Sequence, residues 1–171
     1  LIDCGLFQED EKEYLNYEPF PFNPRKIDLM ILTHAHLDHS ALIPKLVKEG
    51  FRGKIITTPA TRDLLGIMLF DALKVQKNEH NKQPLYDEEN IQKALKQIEV
   101  LPYQKEYNFN GIGITLLDAG HILGSATAVI DANGKKTVFS GDLGRTGYPI
   151  LRDPSPPEKA DYLVIESTYG N

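Results

Sequence analysis

Residues His34, Ala35, His36, Leu37, Asp38 and His39 place three imidazoles and a carboxylate in one His-x-His-x-Asp-His run. Such a run makes a poor helix face and a costly core, because buried histidine and aspartate lose hydration unless something pairs with them. It makes a good metal cradle: zinc takes imidazole nitrogen and carboxylate oxygen, with about four ligands per ion. Two further candidates stand far along the chain. His121 lies in Asp118-Ala119-Gly120-His121-Ile122-Leu123-Gly124-Ser125, and Asp142 lies in Ser140-Gly141-Asp142-Leu143-Gly144. The glycines beside both let backbone approach a crowded centre. His34, His36 and His121, with Asp142 at the edge, make one site. Asp38, His39 and Asp142 make a second, with Asp142 placed to bridge. Four of the five histidines are used in this scheme. The second site is one protein ligand short, a position left to solvent, substrate or a histidine from elsewhere. Two ions about 3.5–4 Å apart would acidify a bridging water and clamp both oxygens of an in-line displacement. That is hydrolysis by an activated hydroxide, and no Ser-His-Asp or Cys-His pattern competes with it. Asp3 is a candidate to orient a ligating imidazole through its far nitrogen.

The elements that must position these groups follow from periodicity and turn residues. Leu1–Cys4 reads as a strand ended by Gly5. Residues 8–26 are acidic, then aromatic and proline-rich, and read as a surface loop. Residues 27–33 predict a buried strand, with Ser40 capping a helix over 40–49 and a strand at 54–57. The His-rich run then falls at the carboxyl end of a strand, where α/β folds place their chemistry. Thr58-Pro59 opens a helix whose Leu65, Met68, Leu69, Ala72 and Leu73 share one face. Residues 78–84, with His80, read as a solvated loop, and Asp87 caps a helix that turns Ile91, Ala94, Leu95 and Ile98 inward. The second half is β-rich, with strands at 98–101, 105–109, 112–118, 126–132, 136–140 and 162–165. Asn133-Gly134 is a type I′ hairpin signal. Helices in front and hairpins behind predict two sheets packed face to face with helices outside.

Composition bounds the rest. At 171 residues the chain is about one domain long, with 41% hydrophobic and 25% charged residues, an ordinary globular balance. No apolar run approaches the roughly 20 residues that span a bilayer, so no membrane role is expected. The single cysteine, Cys4, excludes an internal disulfide and a thiolate-rich zinc site, and fits a reducing cytoplasmic setting. A net charge of −5 supplies no whole-chain basic footprint for nucleic acid. Cations bound in the cleft would reverse that field locally. The chain opens inside a strand without a methionine and stops just after another, so it is expected to be a piece of a larger protein.

The motifs in order (Asp3, then His34-x-His36-x-Asp38-His39, then His121, then Asp142) resemble those of the metallo-β-lactamase fold superfamily, an α/β fold with an αββα sandwich. Three segments carry a finer resemblance to its β-CASP branch of nucleic-acid-processing enzymes: Leu1-Ile2-Asp3-Cys4-Gly5-Leu6-Phe7-Gln8, Ala119-Gly120-His121-Ile122-Leu123-Gly124-Ser125-Ala126 and Glu166-Ser167-Thr168-Tyr169-Gly170-Asn171. Within that branch the chain is most similar to bacterial and archaeal homologues of the endonuclease subunit of the cleavage and polyadenylation machinery. Ribonuclease J is a more distant cousin. The resemblance implies two Zn2+ ions held by His34, His36, Asp38, His39, His121 and Asp142. It implies Asp38, Asp142, Glu166 and Asp3 as the acidic residues of the catalytic site, with Glu166 matching the first β-CASP motif. Glu9 stands where the family often has glycine. Residues 1–171 then form a single partial metallo-β-lactamase domain, lacking the first and closing strands. The β-CASP insert, with the histidine that completes the second site, would follow residue 171 and is the expected partner domain.

The resemblance thus implies a zinc-dependent phosphodiesterase, a ribonuclease of RNA processing or decay that cuts single-stranded RNA and leaves a 5′-phosphate. Ser125 is a candidate phosphate contact by position. A thioesterase- or lactonase-type hydrolase of the same superfamily would share every metal ligand; the Glu166 segment separates the two. A non-catalytic partner is the third reading, and the full ligand set speaks against it. The piece alone is expected to be inactive, with its second metal weakly held and lost first at low pH. Its uncovered strand edges invite association into oligomers.

Overall fold

The computed structural model describes residues 1–78, 83–168 and 170. Strands β1 (Leu29–Ile31), β2 (Lys54–Thr57) and β3 (Ile98–Val100) form a parallel sheet in that order. Parallel neighbours need crossovers, and helices provide them. Helices α1 (Leu37–Ser40) and α2 (Ile43–Lys48) link β1 to β2, while α3 (Pro59–Asn78) and α4 (Glu88–Lys96) link β2 to β3. Each long helix starts where its sequence says. The Thr58 hydroxyl accepts the Thr61 amide (3.2 Å) ahead of Pro59. Asp87 and Asn90 each accept the other's amide in a capping box, at 2.8 and 3.1 Å. Leu65, Leu69, Leu73, Ile91 and Ala94 turn inward and pack with Met30, Phe51 and Ile55 in a first core.

Strands β4 (Glu106–Phe109), β5 (Ile112–Asp118), β6 (Ala126–Ala132), β7 (Lys135–Phe139) and β8 (Tyr162–Val164) form the second sheet. All its pairings are antiparallel except β7 with β8. Asn133 and Gly134 both have positive φ, 54° and 72°, as the expected type I′ turn between β6 and β7 demands. The two sheets meet in a second core, with Ile31, Ile56 and Leu101 against Ile114, Leu116, Ala126 and Ala128. Helix residues join only the first core, so the layers run helix, sheet, sheet. Among the described residues no helix contributes to the sheet–sheet core, and none is long and apolar enough to cross a membrane. Strand β8 is an edge whose Tyr162, Leu163 and Val164 are all exposed.

Several local expectations are corrected. Leu1–Cys4 is no full strand: Ile2 makes one parallel bridge to Ile31, and Asp3 then leaves the extended region at φ 51°. The helix over 40–49 is two short helices, because Pro44 has no amide to donate and sits in the first turn of a new helix. Ser40 is not its cap. It ends α1, with its hydroxyl donating to the His36 carbonyl at 2.8 Å. Residues 98–100 join the parallel sheet rather than the β-rich half. Met68 is half-buried, while its four helix-face companions are buried. His80 lies outside the described residues.

The α3 faces give a direct test. Leu69 is fully buried, and Ile67, two residues away, is 69% exposed. Leu69→Ala costs about 2–5 kcal/mol in urea unfolding, while Ile67→Ala stays within about 0.5 kcal/mol.

Candidate metal centre

The chain's first residues clamp the His-rich run into place. The Cys4 amide donates to the His39 carbonyl (2.7 Å), the Leu6 amide to the Leu37 carbonyl (3.0 Å), and the Leu42 amide to the Cys4 carbonyl (3.0 Å). Gly5 lies so close that a Cβ there would fall on the Asp38 carbonyl. The positive φ of Asp3 aims its carboxylate at the end of β1. There Oδ1 accepts the Thr33 amide (2.7 Å), and Oδ2 accepts the Thr33 hydroxyl (2.8 Å) and faces His39 Nδ1 (2.8 Å).

These bonds assign the histidine tautomers. An ionised carboxylate only accepts, so the Thr33 hydroxyl proton is committed to Asp3. The Thr33 oxygen must then accept from His34 Nδ1, 3.1 Å away. By the same logic His39 carries its proton on Nδ1, toward Asp3. Both rings therefore present a bare Nε2. His34 Nε2 lies 3.0 Å from His36 Nδ1, which lies 3.2 Å from His121 Nε2.

His121 and Asp142 reach this point from the other sheet. The Ser125 hydroxyl oxygen accepts the amides of His121 (3.0 Å) and Ile122 (3.2 Å), folding the His121 loop. Thr58 and Thr61 donate to the Gly124 carbonyl at 2.7 and 2.8 Å, so the start of α3 braces the same loop. The Gly144 amide donates to the Ala119 carbonyl (2.8 Å), and a Cβ at 144 would fall on the Gly120 carbonyl. Thr33 O accepts the Ala126 amide (2.9 Å), and Gly141 packs against both residues, joining the sheets at the site. Ser125 is thus buried and occupied by two amides, which corrects its expected role as a phosphate contact. Glu166 accepts the Leu143 amide through Oε1 at 2.6 Å. It holds the residue that follows Asp142, and sits outside the donor cluster. Its bonds from Thr168 and then the Leu143 amide hold its carboxyl below the usual range.

The donors converge in two groups: His34, His36, His121 and Asp142, and Asp38, His39 and Asp142. Asp142 divides its oxygens between them. Oδ2 faces His121 and His34 Nε2 at 3.5 and 3.7 Å, and Oδ1 faces His39 Nε2 at 3.1 Å. Asp38 Oδ2 lies 3.8 Å from His39 Nε2. All six expected ligand residues are therefore brought together, and Asp3 stands behind them. Thr33, which links Asp3 to His34, went unread in the sequence; its place directly before His34 at a strand end was the available signal.

Facing lone pairs repel unless a proton or a cation lies between them. Burial, then the neighbouring rings of His39, His36 and His121, presses the His34 pKa down to about 2. Burial and His121 likewise lower His36. His34 and His36 are therefore held neutral, each with one ring nitrogen bare, and the convergence of imidazole nitrogens and carboxylate oxygens is a donor set that fits a metal cation. His39 differs. Burial opposes its charge, but the bond to Asp3 and the charges of Asp3, Asp142 and Asp38 outweigh it and raise its pKa.

Comparison with known proteins places this arrangement. The family model for the metallo-beta-lactamase superfamily matches residues 1–165. Ribonuclease TTHA0252 of Thermus thermophilus is 42% identical over 171 residues, all of this chain and 38% of that protein. Cleavage and polyadenylation specificity factor subunit 3 of Dictyostelium discoideum is 37% identical over 99% of this chain and 22% of its own length. The chain thus spans well under half of the curated relatives it matches. A solved Cronobacter sakazakii metallo-beta-lactamase with a HARLDQ motif shares the fold, with TM-score 0.54, 20% identity, 86% of this chain and 53% of that one covered. The paired donor clusters at the junction of two stacked sheets, and the family match along nearly the whole length, show that the chain belongs to the metallo-beta-lactamase superfamily.

Proposed function

We propose that this chain carries the metal centre of an RNA-cutting phosphodiesterase of the β-CASP branch. In this reading residues 1–171 are one partial domain of a longer protein whose inserted domain follows, which accords with the greater length of the relatives. One conjunction supports it: two donor clusters sharing Asp142, in a chain 42% identical throughout to a protein named a ribonuclease. The ions would be two zincs. His34, His36, His121 and Asp142 Oδ2 would hold one; Asp38, His39 and Asp142 Oδ1 would hold the other. Bound together, two divalent ions supply acidity to water and positive charge at phosphorus, so hydrolysis needs no side-chain nucleophile.

The chain's own residues do the positioning. Asp3 holds the His39 proton on Nδ1 and, through Thr33, the His34 proton on Nδ1, which leaves both Nε2 atoms bare. Ser125 fixes the His121 backbone. Glu166 anchors Leu143 beside Asp142, and so acts through Asp142. Asp38 is the most open donor, with its side chain 45% exposed.

Full-length protein loaded with zinc should cut single-stranded RNA and leave 5′-phosphate ends. A chelator should abolish cutting and zinc should restore it. His121→Ala and Asp142→Ala should each lower the rate at least about a hundredfold. A loaded protein that turns over thioesters or lactones and leaves RNA whole would replace this reading with that of a small-molecule hydrolase. Asp3→Asn keeps the shape but removes the charge that orients His39. It should weaken metal binding about 10–100-fold in competition with a chromogenic chelator, with the fold retained by circular dichroism.

A further inference from the structure

Residues 143–153 leave the Asp142 turn as a loop and return to rest beside their origin. At the outgoing end Gly144 is pressed onto the backbone of Gly120 and His121. At the returning end the Arg152 carbonyl and Pro154 lie against Gly120, and the Ser155 amide donates to the Asp118 carbonyl at 2.8 Å. Across the neck, Asp153 Oδ1 accepts the Gly147 amide at 2.7 Å. Both ends of the loop are thus fixed to the segment that carries His121.

The tip of this loop is not core. Tyr148 is 47% exposed, and the Arg145 guanidinium sits over its ring, 4.7 Å from the centroid. Among the described residues no carboxylate forms an ion pair with Arg145, although the chain has 24 acidic residues against 19 basic ones. Arg145, Tyr148 and Leu143 line, together with His121, a cavity of about 620 Å³. One cavity wall therefore carries an unpaired cation, an open aromatic ring and a candidate metal ligand.

We propose that Arg145 and Tyr148 form a strand-binding subsite for one unpaired nucleotide beside the phosphodiester that is cut. This rests on the nuclease reading above and names how that site grips its substrate. A guanidinium stacked on an aromatic ring keeps its N–H edges free, and those edges match a phosphate in a fork. The ring also holds Arg145 in place before the strand arrives, so less side-chain freedom is lost on binding. The free face of Tyr148 stacks the base. Stacking tolerates any sequence but requires that the base be out of a duplex. The subsite therefore selects single strands and reads no particular base. Its rigid tie to Gly120 and His121 sets the distance from the gripped nucleotide to the metal centre.

The test is binding of a fluorescent single-stranded oligoribonucleotide with phosphorothioate linkages to the full-length, zinc-loaded protein, over a range of salt concentrations. Tyr148→Ala should weaken binding about tenfold and narrow the preference for single over double strands, while Tyr148→Phe stays within about twofold of the parent. Arg145→Gln should weaken binding and reduce the slope of log affinity against log salt by about 0.7, the share of one phosphate on a single strand. Parent-like affinity and slope in both Tyr148→Ala and Arg145→Gln would overturn the subsite and leave the nuclease reading standing. A parent protein that binds no RNA would overturn both.

Discussion

A single carboxylate ties the site together. Asp3 receives a backbone amide, a hydroxyl and an imidazole N–H, and each of these bonds fixes something different. The amide sets where β1 ends. The hydroxyl sets the direction of the Thr33–His34 bond, and the imidazole bond sets the rotation of His39. A neutral amide at this position could not accept all three. The left-handed backbone of Asp3, φ 51°, is what brings the carboxylate under the cluster rather than along the strand. Residues in that region are uncommon outside glycine, and aspartate and asparagine tolerate it best.

Around this hub the two sheets contribute unequal halves. The parallel sheet delivers the His-rich run from one short segment, with its geometry set by α1 and the clamp of Cys4 and Leu6. The antiparallel sheet delivers His121 and Asp142 singly, from the ends of β5 and β7. Close backbone approach at Gly5 and Gly144 tightens each half within itself, while Gly141 against Thr33 and Gly124 against Thr61 bring the halves together. Electrostatics then follows from position. The imidazoles deepest in the cluster are pressed toward neutrality, whereas His39, ringed by carboxylates, is drawn toward its charged form.

Much of this was legible in the residues themselves. The His-x-His-x-Asp-His spacing, the glycine-flanked His121 and Asp142, the caps at Thr58 and Asp87 and the Asn133-Gly134 turn all act locally. Their meaning does not depend on what packs against them. The missed features are those that tertiary structure decides. Pro44 split a helix whose apolar spacing ran unbroken. Residues 98–100 look like any other short β segment, and only packing assigns them to the parallel sheet. Ser125 has the composition of a ligand-binding loop residue, yet its hydroxyl is consumed within the loop. Thr33 reads as a strand residue until Asp3 is known to lie beneath it.

The spacing of the donors along the polypeptide has a consequence for biosynthesis. His36 and His121 touch across 85 residues, and Asp142 comes later still. Translation at about 5–20 residues per second delivers the first half of the centre several seconds before the second. A cation met by the emerging chain at that stage finds only the partial His-rich segment. Secure capture would wait for the hairpins of the second sheet, so selection between rival ions would fall to a chain that has already folded both sheets rather than to the first ligands to leave the ribosome.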